Sequence, residues 1–108
     1  MVELIDSVDA ATVRRNLEAI EAEIADARAT AGREQSVELV AAVKYLPASQ
    51  LPALADAGIR VLGENRAQEL QAKSDAPGGE RFAWDFIGQL QSRRVKLILP
   101  LARLVHSV

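Results

Sequence analysis

Short apolar runs open near residues 39, 60, 83 and 104, at intervals of 21, 23 and 21 residues. Each interval is the length of one strand, one helix and two short loops. Repeated units of that size force parallel strands, because an antiparallel hairpin needs no crossover. The chain is therefore read as α/β. Leu39 to Val43 is an unbroken run of small and β-branched residues, the composition of a strand covered on both faces. Pro47 and Pro52 bracket a helix start, where missing backbone donors do no harm, and that helix should end at Gly58. Ile59 to Leu62 reads as a second strand leading into Gly63-Glu64-Asn65 and a helix through Leu70 to Lys73. Ser74 to Glu80, with Pro77-Gly78-Gly79, is the clearest loop. Phe82 to Ile87 is a third strand, Gln91 to Leu99 a third helix closed by Pro100, and Leu104 to Val108 begins a fourth strand.

Ahead of these units, Val13, Leu17, Ile20, Ile24 and Ala27 recur at helical spacing, with Arg and Glu filling the other faces. The spacing predicts one long amphipathic helix, capped by Ser7 or Asp9 and stopped near Gly32. Two heptads fall short of the three or four that a coiled coil needs, so the stripe is expected to pack on its own domain. The chain divides into this helical segment, residues 1–34, and the βα repeats of residues 38–108, within a single domain 1–108.

A chain that ends inside a strand leaves an unpaired edge, which folded proteins normally cover, charge or shorten. The expectation is the front, N-terminal half of a closed (β/α)8 TIM-type barrel, with about four parallel strands. An isolated half barrel should aggregate or partly unfold. An open doubly wound sheet is the rival, but its Gly-x-Gly-x-x-Gly fingerprint after strand one is missing. Composition narrows the chemistry further. With 13 Lys+Arg against 15 Asp+Glu, the chain has no basic field to hold nucleic acid, and no apolar run approaches the roughly 18 residues of a membrane span. There is no Cys and one His, His106, which removes disulfides, thiolate chemistry and His-rich metal sites. The acidic opening Met-Val-Glu-Leu-Ile-Asp is no secretory signal, so a cytoplasmic protein is expected.

Ligands of parallel α/β proteins lie at the carboxyl ends of the strands. The first run ends in Lys44, where partial desolvation would favour a neutral amine able to attack an aldehyde; the plainer reading leaves Lys44 solvated just outside the sheet. Asn65 offers a donor and an acceptor to a ligand, or alternatively caps the next helix. Glu64 could pair with Lys44 or favour the positive end of that helix. Gln89, Gln91 and Ser92 can cap or hydrogen-bond, while Arg93, Arg94 and Lys96 read as a solvated basic face. Phe82, Trp84 and Phe86 alternate with Ala83, Asp85 and Ile87, an aromatic face suited to barrel core. His106 has no partner visible in the sequence and reads as structural.

Three segments, Val40-Ala41-Ala42-Val43-Lys44-Tyr45-Leu46-Pro47, Gly63-Glu64-Asn65-Arg66-Ala67-Gln68-Glu69 and Trp84-Asp85-Phe86-Ile87-Gly88-Gln89-Leu90-Gln91-Ser92, stand in order at compatible spacing. Together they resemble the pyridoxal phosphate homeostasis family from Leu39 onward, and the preceding long helix is also as that family has it. The resemblance implies a single barrel like the N-terminal domain of alanine racemase. It implies pyridoxal 5′-phosphate held as a Schiff base on the strand-one lysine, here Lys44, with Asn65 beside the ring. It implies a carrier or regulator of the free cofactor without established turnover, whose partner is the small-molecule cofactor; neither nucleic acid nor membrane is expected as a partner, and the full-length form is expected to be a monomer or weak dimer. The family commonly has Trp-His-Phe where this chain has Trp84-Asp85-Phe86, so a role tied to that histidine does not carry over. Phosphate-gripping residues belong to the family's second half. The alternative is a racemase or decarboxylase using the same cofactor, which needs an acid or base across the ring. The only Tyr is Tyr45, expected to point away from Lys44 if both stay in an extended strand.

Overall fold

In the computed structural model, which describes residues 7–107, helix α1 spans Ala10–Ala31. The acidic opening at residues 1–6 and Val108 lie outside the described residues. Asp9 is the N-cap: its carboxylate accepts from the backbone N of Thr12 at 3.2 Å and from the Thr12 hydroxyl at 2.6 Å. Gly32 ends the helix at φ 66°, the left-handed conformation that lets its N–H reach back to Ala29 and Arg28.

Seven elements follow the expected alternation among the described residues. They are β1 (Ala41–Ala42), α2 (Leu51–Asp56), β2 (Val61–Glu64), α3 (Ala67–Asp75), β3 (Ala83–Phe86), α4 (Val95–Ile98) and β4 (Leu104–Val105), after α1. Single 3₁₀ turns at Ala48–Gln50, Gly79–Arg81 and Ser92–Arg94 lead into α2, β3 and α4. The four strands form one parallel sheet in the order β1-β2-β3-β4. Four successive neighbouring βα units are half the count that closes an eight-stranded barrel, so the α/β class and the half-barrel pattern are as the strand spacing predicts.

Register sorts the strand residues onto two faces. Ala42, Gly63, Asp85 and Leu104 pair in one row, while Leu62 and Trp84, then Glu64, Phe86 and Val105, pair in rows on the other face. The second face lies under the helices. Leu62, Phe86, Leu51, Leu70 and Ile98 are almost wholly buried there, each contributing roughly 1.5–3 kcal/mol by leaving water. The aromatic side of β3 belongs to this layer, with Phe82 edge-on to Trp84 at 6.1 Å and the Trp84 indole N–H donating to Gly79 O at 3.0 Å. It is thus the layer between sheet and helices, and not the face a closed barrel would enclose, that takes the aromatics.

Four expectations shift. β1 is shorter than Leu39 to Val43, because Lys44 already begins a turn in which Leu46 N donates to Val43 O. β2 runs two residues further than expected and draws Gly63 and Glu64 into the sheet. The third helix shrinks to one 3₁₀ turn and four α-helical residues, since Ile98 is the single buried residue in it and little apolar surface sustains further turns. The α1 stripe docks only in its first half. Val13 packs on the core and Leu17 is buried, but Ile20 is 43% exposed. At 1.5 Å per residue α1 is about 33 Å long and α2 about 9 Å, so α1 overhangs its support. Among the described residues no helix is long and apolar enough to cross a membrane.

Candidate functional site

A cavity of about 500 Å³ opens at the carboxyl ends of β1 and β2, between the turn carrying Lys44 and the first turns of α3. Lys44 and Asn65 both line it, so the two residues singled out from the sequence are brought to one place. Its volume lies in the range of small-molecule sites. Lys44 is exposed at the rim, in line with the plainer reading that leaves it solvated just outside the sheet and against partial desolvation of its amine. Its Nζ stands 5.2 Å from the centre of the Tyr45 ring. That contact corrects the expectation that Tyr45 points away: the chain has left the strand, so the alternation that would separate the two side chains no longer applies. It also sets Tyr45 on Lys44's own side of the cavity.

The dry lysine is Lys73, on α3. Its Nζ is 2.7 Å from Glu64 Oε2 and donates to Val43 O, also at 2.7 Å, and both side chains are buried. Glu64 therefore pairs with Lys73, not with Lys44. It tolerates full burial on the helix-facing side of β2 because that counter-charge and the Asn65 backbone N–H, at 2.9 Å, satisfy it. A signal for this was present in the sequence: Ala67, Leu70 and Lys73 are the buried residues of α3, at a spacing of three, so Lys73 occupies an inward position that demands an anion.

Asn65 does not cap α3. Arg66 takes the N-cap position with no side-chain bond, which leaves the Asn65 amide on the ridge between the first cavity and a second of about 370 Å³. Gly88 packs directly on the Asn65 carbonyl, so closely that a Cβ at position 88 would collide with it. The second cavity is bordered by Arg66, Arg93 and Arg94, and Arg93 Nε donates to Gln91 Oε1 at 3.2 Å. Gln91 thus serves Arg93, and no side chain caps the turn at Ser92.

On the sheet face turned away from the helices lies a feature the sequence reading missed. Asp85 is wholly buried, accepts from Arg103 Nε at 2.9 Å and Nη2 at 2.8 Å, and lies 2.8 Å from His106 Nε2. Arg103 reaches on to Glu38 at 2.5 Å. Hydrogen bonding from Arg103 holds the Asp85 carboxyl below the usual carboxylate range, helped by His106 and opposed by burial. The bonds to Asp85 and then Glu38 raise the Arg103 guanidinium above its ordinary value. His106 thus has a partner after all, one βα interval of 21 residues back along the chain. Among the described residues no group of three or more His, Asp or Glu is arranged to hold a metal ion.

No family model matches the chain. A pyridoxal phosphate homeostasis protein of Aquifex aeolicus is 37% identical over 79 residues, spanning 72% of this chain and 35% of that protein. That of Pseudomonas aeruginosa is 35% identical over 98 residues, spanning 90% of this chain and 43% of the relative. The crystal structure of an unknown protein from Bifidobacterium adolescentis superposes with a TM-score of 0.79 at 33% identity, covering 99% of this chain and 48% of that one. The chain spans less than half the length of each of these proteins. It belongs to the pyridoxal phosphate homeostasis protein family.

Proposed function

We propose that this chain is the lysine-bearing half of a protein that binds pyridoxal 5′-phosphate and takes part in its homeostasis inside the cytoplasm. Lys44 forms the reversible Schiff base, and Asn65 contacts the ring. The bound cofactor supplies an aldehyde that condenses with a primary amine, so a lysine that attaches it reversibly can both sequester it and pass it on. The observation that carries this reading is the shared cavity: Lys44 at its rim and Asn65 in its wall, at adjoining strand ends. The residues fit the group. An exposed amine is reachable, the volume admits a substituted pyridine ring, and the Asn65 amide is not spent on a helix cap.

The chain acts here as a carrier and not a catalyst, in keeping with the homeostasis role by which its relatives are named. On this reading residues 1–108 form one domain, the front half of a barrel, whose remaining strands supply the phosphate grip. The chain has three lysines, which makes the test simple. Lys73 is buried in its ion pair and Lys96 stands exposed on α4. After incubation with pyridoxal 5′-phosphate, borohydride reduction and peptide mass spectrometry should place the label on Lys44 in preference to Lys96. Equal labelling of Lys44 and Lys96 would reject the assignment.

A further inference from the structure

The buried Glu64–Lys73 pair spends its hydrogen bonds in a pattern that core stability does not require. Removing two charges from water costs more than their attraction commonly returns, and apolar residues of similar volume are often as good or better. What the pair does have is two backbone partners, one on each arm of the cavity. Lys73 Nζ donates to Val43 O, the carbonyl immediately before Lys44, and Glu64 Oε1 accepts from the N–H of Asn65. The Val43 carbonyl also accepts from Leu46 N at 3.0 Å and so closes the turn that carries Lys44. Val43 N in turn donates to Gly63 O at 3.0 Å, so the β1–β2 ladder ends at the point the ammonium grips.

We infer that Glu64 and Lys73 are positioning residues: one buried ion pair pins the exits of β1 and β2 and so fixes Lys44 and Asn65 relative to each other. The inference deepens the reading of Lys44 as the attachment point and rests on it. A single charged pair suits this task because its two ends reach main-chain atoms that apolar side chains cannot hold. The pair lies at the inner end of the cavity, itself lining it, and Glu69 at 4.0 Å from Lys73 Nζ adds a second, exposed carboxylate.

The test compares the complete protein, with its barrel closed, with its double variant Glu64→Gln/Lys73→Met, which removes both charges at nearly constant volume. Two quantities are read: amide hydrogen exchange at Asn65 and Leu46 without any ligand, and the ratio of Lys44 to Lys96 labelling by pyridoxal 5′-phosphate. Positioning predicts faster exchange at both amides while β2 and β3 amides stay protected. It also predicts a labelling ratio lower by roughly a factor of ten to a hundred, the loss produced by displacing a reacting group about 1 Å. An unchanged ratio overturns the inference even if the melting temperature falls. If the double variant does not fold, the unaltered chain decides: its Asn65 amide must be protected to the level of the β2 amides although it follows the last strand residue. If the unaltered chain shows no preference for Lys44, the earlier reading fails instead, and the exchange data alone then decide whether the pair fixes the two exits.

Discussion

Nε2 of His106, the residue after β4, lies 2.8 Å from Oδ2 of Asp85 in the neighbouring β3, on the sheet face turned away from the described helices. Asp85 is the hub of this face: it also accepts two bonds from Arg103, which extends the network to Glu38 ahead of β1. The residues joined in this way come from both edges of the sheet and its interior, so the network ties the ends of the βα series together. Replacing Asp85 with Ala should destabilise the fold by about 1–3 kcal/mol, the scale of losing charged hydrogen bonds whose partners can regain water. Chemical denaturation midpoints of the two proteins check this.

The same carboxylate makes an acid-pH prediction. Arg103 and His106 depress the folded-state value of Asp85 below that of an unfolded aspartate, about 3.9. The folded chain therefore binds fewer protons there than the unfolded one. The resulting stabilisation is complete above that value and is lost as pH falls through the folded value. Unfolding free energy measured from neutral pH downward should drop below pH 4 in the unaltered chain, and more shallowly in Asp85→Asn.

Single and double replacements at the buried pair should differ in the size of their cost. Lys73→Met alone leaves the Glu64 carboxylate buried without its counter-charge and should cost about 3–5 kcal/mol. Adding Glu64→Gln should recover much of that loss. Urea titrations of the two variants and the parent supply the comparison.

Gly88 carries a steric prediction. Alanine there must push back the Asn65 backbone carbonyl, at a cost of about 1–3 kcal/mol for forced movement in a packed region. The change should also speed exchange of the Asn65 amide, whereas alanine at Gly32, whose surroundings are open, should leave Asn65 untouched.

Much of this architecture was legible in one dimension, and the reasons are local. Asp9 and Gly32 bound α1 because a carboxylate acceptor and a left-handed glycine are short-range devices. The strand interval was legible because a βα unit has nearly fixed length. What escaped were the charges that pair across the sheet. Glu64 read as a strand-end group because nothing within a few residues announces that Lys73, nine positions on, turns inward. Asp85 and His106 looked unrelated because their contact depends on the register of β3 with β4. Lys44 and Asn65 are legible as strand-end residues and both line one cavity, but the solvation of Lys44 follows from the turn after β1, which the apolar run through Val43 conceals.

The most direct measurement is site-resolved labelling of the intact chain by pyridoxal 5′-phosphate with borohydride trapping. A modified peptide containing Lys44 is expected, with little label at Lys96 and loss of the visible absorbance of the adduct in Lys44→Ala. Equal modification of both exposed lysines, or an adduct band that survives in Lys44→Ala, would contradict it.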